Sequence, residues 1–135
     1  YRAQGRYAEA EPLYQQALTI RKDVLGDSHP DYAVALNNLA LLYHAQGRYA
    51  EAEPLYQQAL AIRKDVLGDS HPDYAISLHN LGTLYYGLED YTKAKELIGQ
   101  AYDIFLKVLG AAHPHTKTVK GWLEVVRNRL SEGND

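Results

Sequence analysis

The sequence has 135 residues, with 14 basic and 17 acidic side chains, a formal net charge of -3 and no cysteine. This length suits one domain at most, and no run of 18 apolar residues is present to cross a membrane. The charge balance favours neither a nucleic-acid partner nor an anionic membrane surface, and the lack of cysteine excludes disulfides and thiolate metal sites.

The chain begins at Tyr1 without an initiator methionine, and its first residues contain no signal peptide or transit segment. We therefore expect a cytoplasmic fragment or excised domain, with further chain upstream.

The dominant feature is an internal repeat with a period of 42 residues. Residues 1–34 and 43–76 differ at three positions, so 31 of 34 positions are identical. The third copy is more divergent but keeps the same phase, for example at Tyr91, Ala94 and Gly110.

Apolar residues at three- and four-residue spacing predict two helices in each unit, which we name helix A and helix B. Gly68 should end a B helix in a left-handed conformation, and Pro72 should start the next A helix. These signals predict a single all-α domain of about six antiparallel helices, stacked as a right-handed α-solenoid. Its expected parts are a partial repeat at 1–25 that is mainly helix B (from about Tyr7), repeats at 31–67 and 73–109, and a C-terminal capping helix at 115–131.

Two prolines disturb this pattern. Pro12 and Pro54 each fall about five positions into a predicted B helix, where the ring should press on a preceding carbonyl. We therefore expect an irregular first turn in these helices.

Each unit repeats one pattern of residue types. It consists of a large apolar residue, then a Leu followed by a small residue, then a Tyr, and finally an Ala with a larger residue four positions after it. In this pattern the chain resembles the tetratricopeptide repeat family. The usual Trp is replaced by Leu, and the 42-residue unit is similar to the kinesin light chain type, also widespread in bacterial multi-repeat proteins. The residues that carry the resemblance are Leu36, Leu39, Ala40, Tyr43, Ala52 and Tyr56, then Leu78, Leu81, Gly82, Tyr85, Ala94 and Ile98.

The resemblance implies a right-handed superhelix whose A helices line a concave groove that binds peptides or partner helices. Stacking is also expected on physical grounds, because one helix pair of this size cannot close its own core. The periodic tyrosines are then mostly core residues; they include Tyr43, Tyr49, Tyr56, Tyr85 and Tyr91.

The face of helix A opposite the core stripe is the candidate peptide-binding groove. Asn38 and Asn80 occupy the same position in successive repeats, and this Asn is retained although several residues around it differ between the two repeats. An Asn amide can both donate a hydrogen bond to a peptide backbone and accept one from it. The resemblance places backbone contacts at these two residues, and a solvated or inter-helix structural role is the alternative. The candidate groove residues are Val34, Asn37, Asn38, Leu41, His44, Ile76, His79, Asn80, Thr83, Tyr86 and Trp122.

The chemistry of this face limits the ligand. Family members that clamp a C-terminal carboxylate use Lys and Arg on A-helix positions, where this chain has Asn and His. We expect instead a protein or peptide partner with apolar or aromatic anchors, and with acidic residues toward Lys117, Lys120 and Arg127. Trp122 replaces the groove Asn in the last helix, where it either anchors a ligand or covers the apolar side of a terminal cap. The charged residues around it favour the covering role.

No catalytic site, metal or cofactor is expected. His29, His71 and His113 recur once per connection, but equivalents two helices apart lie about 20 Å from each other and cannot share an ion. We interpret them as turn and cap residues. The sequence also lacks a phosphate-binding glycine loop and a nucleophile with a plausible base.

The alternative function is that of a structural solenoid segment that self-associates through an exposed stacking edge. The first B helix has no A helix before it to cover its apolar stripe. The residues of this self-association edge are Tyr7, Ala10, Tyr14 and Ala17.

Overall fold

The computed structural model describes residues 2–25 and 30–133, and it describes side chains at 10–20, 22 and 31–132. The described residues are helical apart from short turns, which confirms the all-α fold. No described helix is both long and apolar enough to span a membrane. The six helices found in these ranges are α1 (Arg2–Leu25), α2 (Pro30–Ala45), α3 (Tyr49–Leu67), α4 (Pro72–Gly87), α5 (Tyr91–Leu109) and α6 (Pro114–Gly133).

Histidines cap the starts of two A helices. His71 precedes α4 in an extended conformation, and its Nδ1 accepts a hydrogen bond of 3.0 Å from the backbone N–H of Asp73. His113 plays the same role before α6, where its Nδ1 accepts from the N–H of His115 at 3.1 Å. The cap interpretation is therefore confirmed for both residues, while His29 lies outside the described residues.

Glycines end the two B helices α3 and α5. Gly68 and Gly110 have φ values of 93° and 90°, in the left-handed region that side chains disfavour. The N–H of Gly110 donates to the carbonyls of Phe105 and Leu106, both at 3.1 Å, and so satisfies the end of α5. The stop predicted at Gly68 is confirmed.

Two local predictions were wrong. Helix α1 begins at Arg2 rather than near Tyr7, so the helix includes residues 4–6, whose counterparts 46–48 form the turn after α2. The irregular turn expected in both B helices is also not seen, because α1 stays helical through Pro12 and α3 stays helical through Pro54. Pro54 has no N–H group, so the carbonyl of Ala50 lacks its usual hydrogen-bond donor within the helix. Ala50 is an exposed residue, where water can hydrogen-bond to this carbonyl instead.

The chain divides into two compact units, Tyr1–Val66 and Leu67–Asp135. In the first unit, the buried residues Tyr32, Ala33, Leu36 and Ala59 form a core cluster between α2 and α3. Leu18 of α1 and Leu55 and Ile62 of α3 pack against this cluster. A second contact joins α1 to the turn after α2, where Arg48 bonds Glu11 at 2.7 Å and stacks over the Tyr43 ring at 4.3 Å.

The second unit is built from α4, α5 and α6. Its buried apolar residues are Leu78, Leu81, Leu84 and Tyr85 on α4, Ala94, Ile98, Ala101 and Phe105 on α5, and Val119, Leu123 and Val126 on α6. The closest approach lies at Gly82, where a Cβ atom would be 2.6 Å from Cγ1 of Ile98. Gly82 therefore allows α4 and α5 to pack together.

Candidate functional site

The A helix of the first unit presents three of the predicted residues on one face. Val34, Asn38 and Leu41 of α2 are exposed, and their spacing of four and three residues aligns them along the helix. This face is mildly apolar with one amide, as the sequence predicts. It can offer an extended ligand apolar contact and both a donor and an acceptor.

Two other predicted residues of α2 lie away from this face. Asn37 is buried, although helical geometry places it only about 40° from the exposed Leu41 around the helix. His44 is half-buried against α3, with its ring edge-on to Tyr49 and Tyr56 at centroid distances of 5.4 and 6.1 Å. Its Nδ1 is 3.3 Å from the hydroxyl of Tyr56, and burial lowers the pKa of His44 below its usual value. Both residues are placed to hold the unit together.

In the second unit the corresponding face of α4 is more covered. Ile76, Asn80 and Thr83 are all half-buried. The hydroxyl of Thr83 donates to the backbone carbonyl of Asn80 at 2.8 Å, so this donor is already used within the helix.

His79 packs against α6 rather than facing an open groove. Its ring lies edge-on to Trp122, at a centroid distance of 6.1 Å and an interplanar angle of 70°. Its Nδ1 atom is buried and has no hydrogen-bond partner among the described residues. Burial, with a smaller contribution from nearby His115, lowers the pKa of His79 to about 4. The imidazole is therefore neutral near pH 7.

Trp122 lies at the centre of an aromatic cluster between α4 and α6. Besides His79, it contacts Tyr86 at a centroid distance of 5.4 Å in an edge-to-face arrangement. Tyr86 in turn packs on Tyr91 of α5 at 5.4 Å, and its hydroxyl accepts a hydrogen bond of 3.3 Å from Nε of Arg129. Trp122 thus covers part of α4, but it is only half-buried and keeps an accessible surface.

An open cavity of about 470 Å³ lies beside this cluster. Its volume falls within the range of small-molecule and side-chain pockets in proteins. Tyr86, Trp122 and Val125 provide its apolar and aromatic walls, and Lys117 provides a positive charge at the rim. Gly121 also lines it, and a Cβ atom there would meet nothing within 4 Å. The arrangement can hold an apolar side chain beside a cation.

Three cavity residues were not predicted from the sequence, although the repeat contained the signal. Subtracting the period of 42 maps Thr118, Gly121 and Val125 onto residues 76, 79 and 83, and a second subtraction maps them onto Val34, Asn37 and Leu41, all candidate groove positions. Projecting the whole groove pattern onto α6, and not only its Asn position, would have identified them.

The predicted self-association edge lies on α1. Tyr14 is exposed, and Ala10 and Ala17 are half-buried. The side chain of Tyr7 lies outside the described residues.

The family model for the tetratricopeptide repeat matches residues 1–65 and again residues 40–107. The chain belongs to the tetratricopeptide repeat family. This repeat generally mediates protein–protein interactions and forms a non-catalytic scaffold.

Solved structures agree with this assignment. The chain is similar to BtubC (BKLC) from P. vanneervenii, at 26% identity and a TM-score of 0.86 over 94% of this chain and 51% of that one. It is also similar to a putative kinesin light chain of Podosopora anserina with nearly identical TPR-like repeats, at 29% identity and a TM-score of 0.87 over 97% and 62%. A variant of that Podosopora anserina protein matches at 30% identity and a TM-score of 0.78 over 98% and 62%.

The predicted resemblance to kinesin light chain-type repeats is therefore confirmed. The chain spans between half and about three fifths of the length of these structures. No curated protein matches the sequence at a comparable level of significance.

Proposed function

We propose that this tetratricopeptide repeat chain binds an extended peptide of a partner protein through the exposed faces of its A helices, and that it catalyses no reaction. The observation that supports this function best is the cavity of about 470 Å³ on the groove positions of α6. Its aromatic walls suit an aliphatic or aromatic anchor residue, and anchors of this kind commonly dominate the affinity of protein interfaces.

The charge at the cavity defines the second element of the ligand. Lys117 is exposed at the rim, and Lys120 and Arg127 are exposed on the same helix. An acidic residue next to the anchor would complement them. Since exposed ion pairs are weak and screened by salt, this element should contribute to selectivity and association rate more than to affinity.

Asn38 and Asn80 are the proposed backbone-binding residues of α2 and α4. Asn38 is exposed, and Asn80 is half-buried. Replacing each with Ala should weaken peptide binding about fivefold to tenfold, the usual value of one hydrogen bond. Unchanged binding by both variants would leave the asparagines with a structural role.

The cavity itself is tested at Gly121. We would select peptides from a random display library against the intact chain and titrate them against Gly121→Leu and Gly121→Ala. A Cβ atom at residue 121 would meet nothing within 4 Å, and the position is exposed. The fold should therefore persist in the leucine variant, while peptide affinity falls more than about tenfold. The alanine variant is the matched control and should bind like the native chain. Equal affinity of the leucine and alanine variants would show that the cavity is not the binding site.

A further inference from the structure

A further cavity lies in the first unit, among α1, α2 and α3. Its volume is about 290 Å³, just below the range of about 300–1,000 Å³ for pockets that hold drug-sized ligands, so it suits a group the size of an amino-acid side chain. Its lining residues are Lys22 of α1, Tyr32 of α2, and Gln58, Ala61 and Ile62 of α3. All three helices of the unit contribute to it, and it shares no residue with the candidate peptide-binding groove.

The hydroxyl of Tyr32 is the feature that points to a ligand. Tyr32 is only 8% exposed, and it belongs to the core cluster on which Ile62 packs. Within the described part of the chain its hydroxyl has no hydrogen-bond partner, yet the oxygen is not sealed from solvent, so it is accessible from the cavity. A buried tyrosine usually places its hydroxyl on a partner. A ligand in the cavity can supply the partner that the protein does not.

Two further side chains bring hydrogen-bond donors to the same cavity. Lys22 and Gln58 are both exposed, and neither forms a hydrogen bond or an ion pair with another described residue. The ammonium group of Lys22, the amide of Gln58 and the hydroxyl of Tyr32 can each donate to a ligand. Asp31 is next to Tyr32 in the sequence but does not line the cavity, and no other acidic residue among those described lines it. The cavity wall therefore carries one positive charge without a negative one.

The remaining walls and the single charge define the class of ligand. Ala61 and Ile62 are apolar and can contact a short aliphatic stem. A carboxylate has one negative charge and two oxygens that accept several hydrogen bonds, and such bonds are stronger when the acceptor is ionised. A phosphate carries a second negative charge at neutral pH, and Lys22 is the only cation that lines the cavity within the described residues.

We propose that this cavity binds a carboxylate on a short aliphatic stem, which is either a glutamate side chain of a bound polypeptide or a free small carboxylic acid. Tyr32 and Gln58 donate hydrogen bonds to the carboxylate oxygens, and Lys22 supplies the opposite charge. Ala61 and Ile62 contact the stem.

The third copy of the repeat provides a substitution that should block this site. Adding the period of 42 maps Gln58 onto Gln100, which is unchanged, whereas Ala61 maps onto Asp103. Both Ala61 and Asp103 are exposed on their helices, so the fold should accept an aspartate at residue 61. Ala61→Asp would place a negative charge in the cavity wall, where it repels a carboxylate ligand.

The test titrates butyrate and its neutral analogue butyramide into the intact chain, and follows the nuclear magnetic resonance signal of the Gln58 side-chain amide. Butyrate should bind at least about fivefold better than butyramide, because the two share a stem and only butyrate is charged. A glutamate residue blocked at both ends is titrated in the same way, with the blocked glutamine residue as its control. This second pair represents the side chain of a polypeptide.

Three variants of the chain locate the bound carboxylate. Tyr32→Phe removes the hydroxyl but keeps the ring in the core, and should weaken butyrate binding about fivefold to tenfold. Ala61→Asp should weaken it more than about fivefold. Ala50→Asp is the matched control, because it adds the same charge at an exposed position of α3 about 16 Å along the helix from Ala61. It should leave binding unchanged in physiological salt. Circular dichroism checks that all three variants keep the helical fold.

Each result decides for or against the proposal. Weaker binding by Tyr32→Phe and Ala61→Asp, but not by Ala50→Asp, supports it. Binding of blocked glutamate as well as butyrate then assigns the site to a polypeptide side chain, and binding of butyrate alone assigns it to a free acid. Equal binding of butyrate and butyramide would overturn the proposal, as would a butyrate affinity that neither Tyr32→Phe nor Ala61→Asp changes. None of these variants alters the cavity beside Trp122, so peptide selection at Gly121 gives a separate answer.

Discussion

Replacing His79 with Asn should make the stability of the second unit less sensitive to acid. His79 is packed against Trp122 with a buried Nδ1 atom, and burial is the main reason that its pKa falls from 6.5 to about 4. The repeat offers a natural replacement, because the counterpart position on α2 is Asn37, which is buried there. Asn fits the same position and does not titrate in this range.

The size of the effect follows from proton linkage. A histidine whose pKa is lower in the folded state binds its proton more readily when unfolded, so stability is complete above about pH 6.5 and is lost as the pH falls toward 4. With one pKa unit equal to about 1.36 kcal/mol, the native chain should lose about 2 kcal/mol by pH 5 and about 3 kcal/mol below pH 4 through this residue.

Urea unfolding at several pH values between about 7.5 and 4.5 measures this loss. Trp122 is the only tryptophan in the sequence and contacts His79, so its fluorescence reports the relevant packing. The difference in unfolding free energy between His79→Asn and the native chain should grow in favour of the variant as the pH falls. His44, whose pKa is also lowered by burial, is present in both proteins and cancels. A difference that stays constant across the pH range would refute the reasoning.

Three further substitutions test the packing. Gly82→Ala should lower the free energy of unfolding by about 1–3 kcal/mol in urea unfolding, because the new Cβ would crowd Ile98. If this contact is the cause, the double variant with Ile98→Ala should lose less unfolding free energy than the sum of the two single variants. Gly121→Ala should raise stability by about 0.5–1 kcal/mol, because it restrains a helical position in open space, and a lower melting temperature would contradict this. Tyr56→Phe should lower the free energy of unfolding by about 1 kcal/mol, because the hydroxyl loses its contact with His44. A double-mutant cycle with His44→Ala measures the coupling energy of this contact, and a coupling energy of zero would contradict the prediction.

The helix pattern was predictable because it depends on short-range chemistry. Pro72 can start a helix without losing a hydrogen bond, and Gly68 can adopt the left-handed conformation that ends one. These choices are made within a few residues, so a single sequence contains them. The error at Pro54 has a different origin: the sequence shows the missing N–H, but not that the affected carbonyl belongs to a residue, Ala50, that is exposed in the folded helix.

The placement of groove residues depended on packing and was harder to predict. Val34, Asn38 and Leu41 share an exposed face, as helical spacing indicates. Asn37 and His44 lie close to that face on a helical projection, yet the structure places them against the core and α3. Residues at the edge of an exposed helix face can be covered by a neighbouring helix. The extent of this cover depends on how the two helices pack, and the periodic sequence pattern does not determine that packing.

The cavity lies where the repeat is broken rather than where it recurs. Asn38 and Asn80 drew attention to the A-helix face because they persist in two copies, but the third copy has Trp122 at this position and Gly121 before it. The large ring supplies an aromatic wall, and the absent side chain leaves open space beside it, so these two changes together make room against Tyr86. Recurrence between near-identical copies reports mainly the shared packing unit. At these two positions α2 and α4 carry amide or imidazole side chains, whereas α6 carries Gly121 and Trp122. This change removes polar groups and adds an aromatic surface that remains half-exposed, and for that reason we propose the peptide anchor site here.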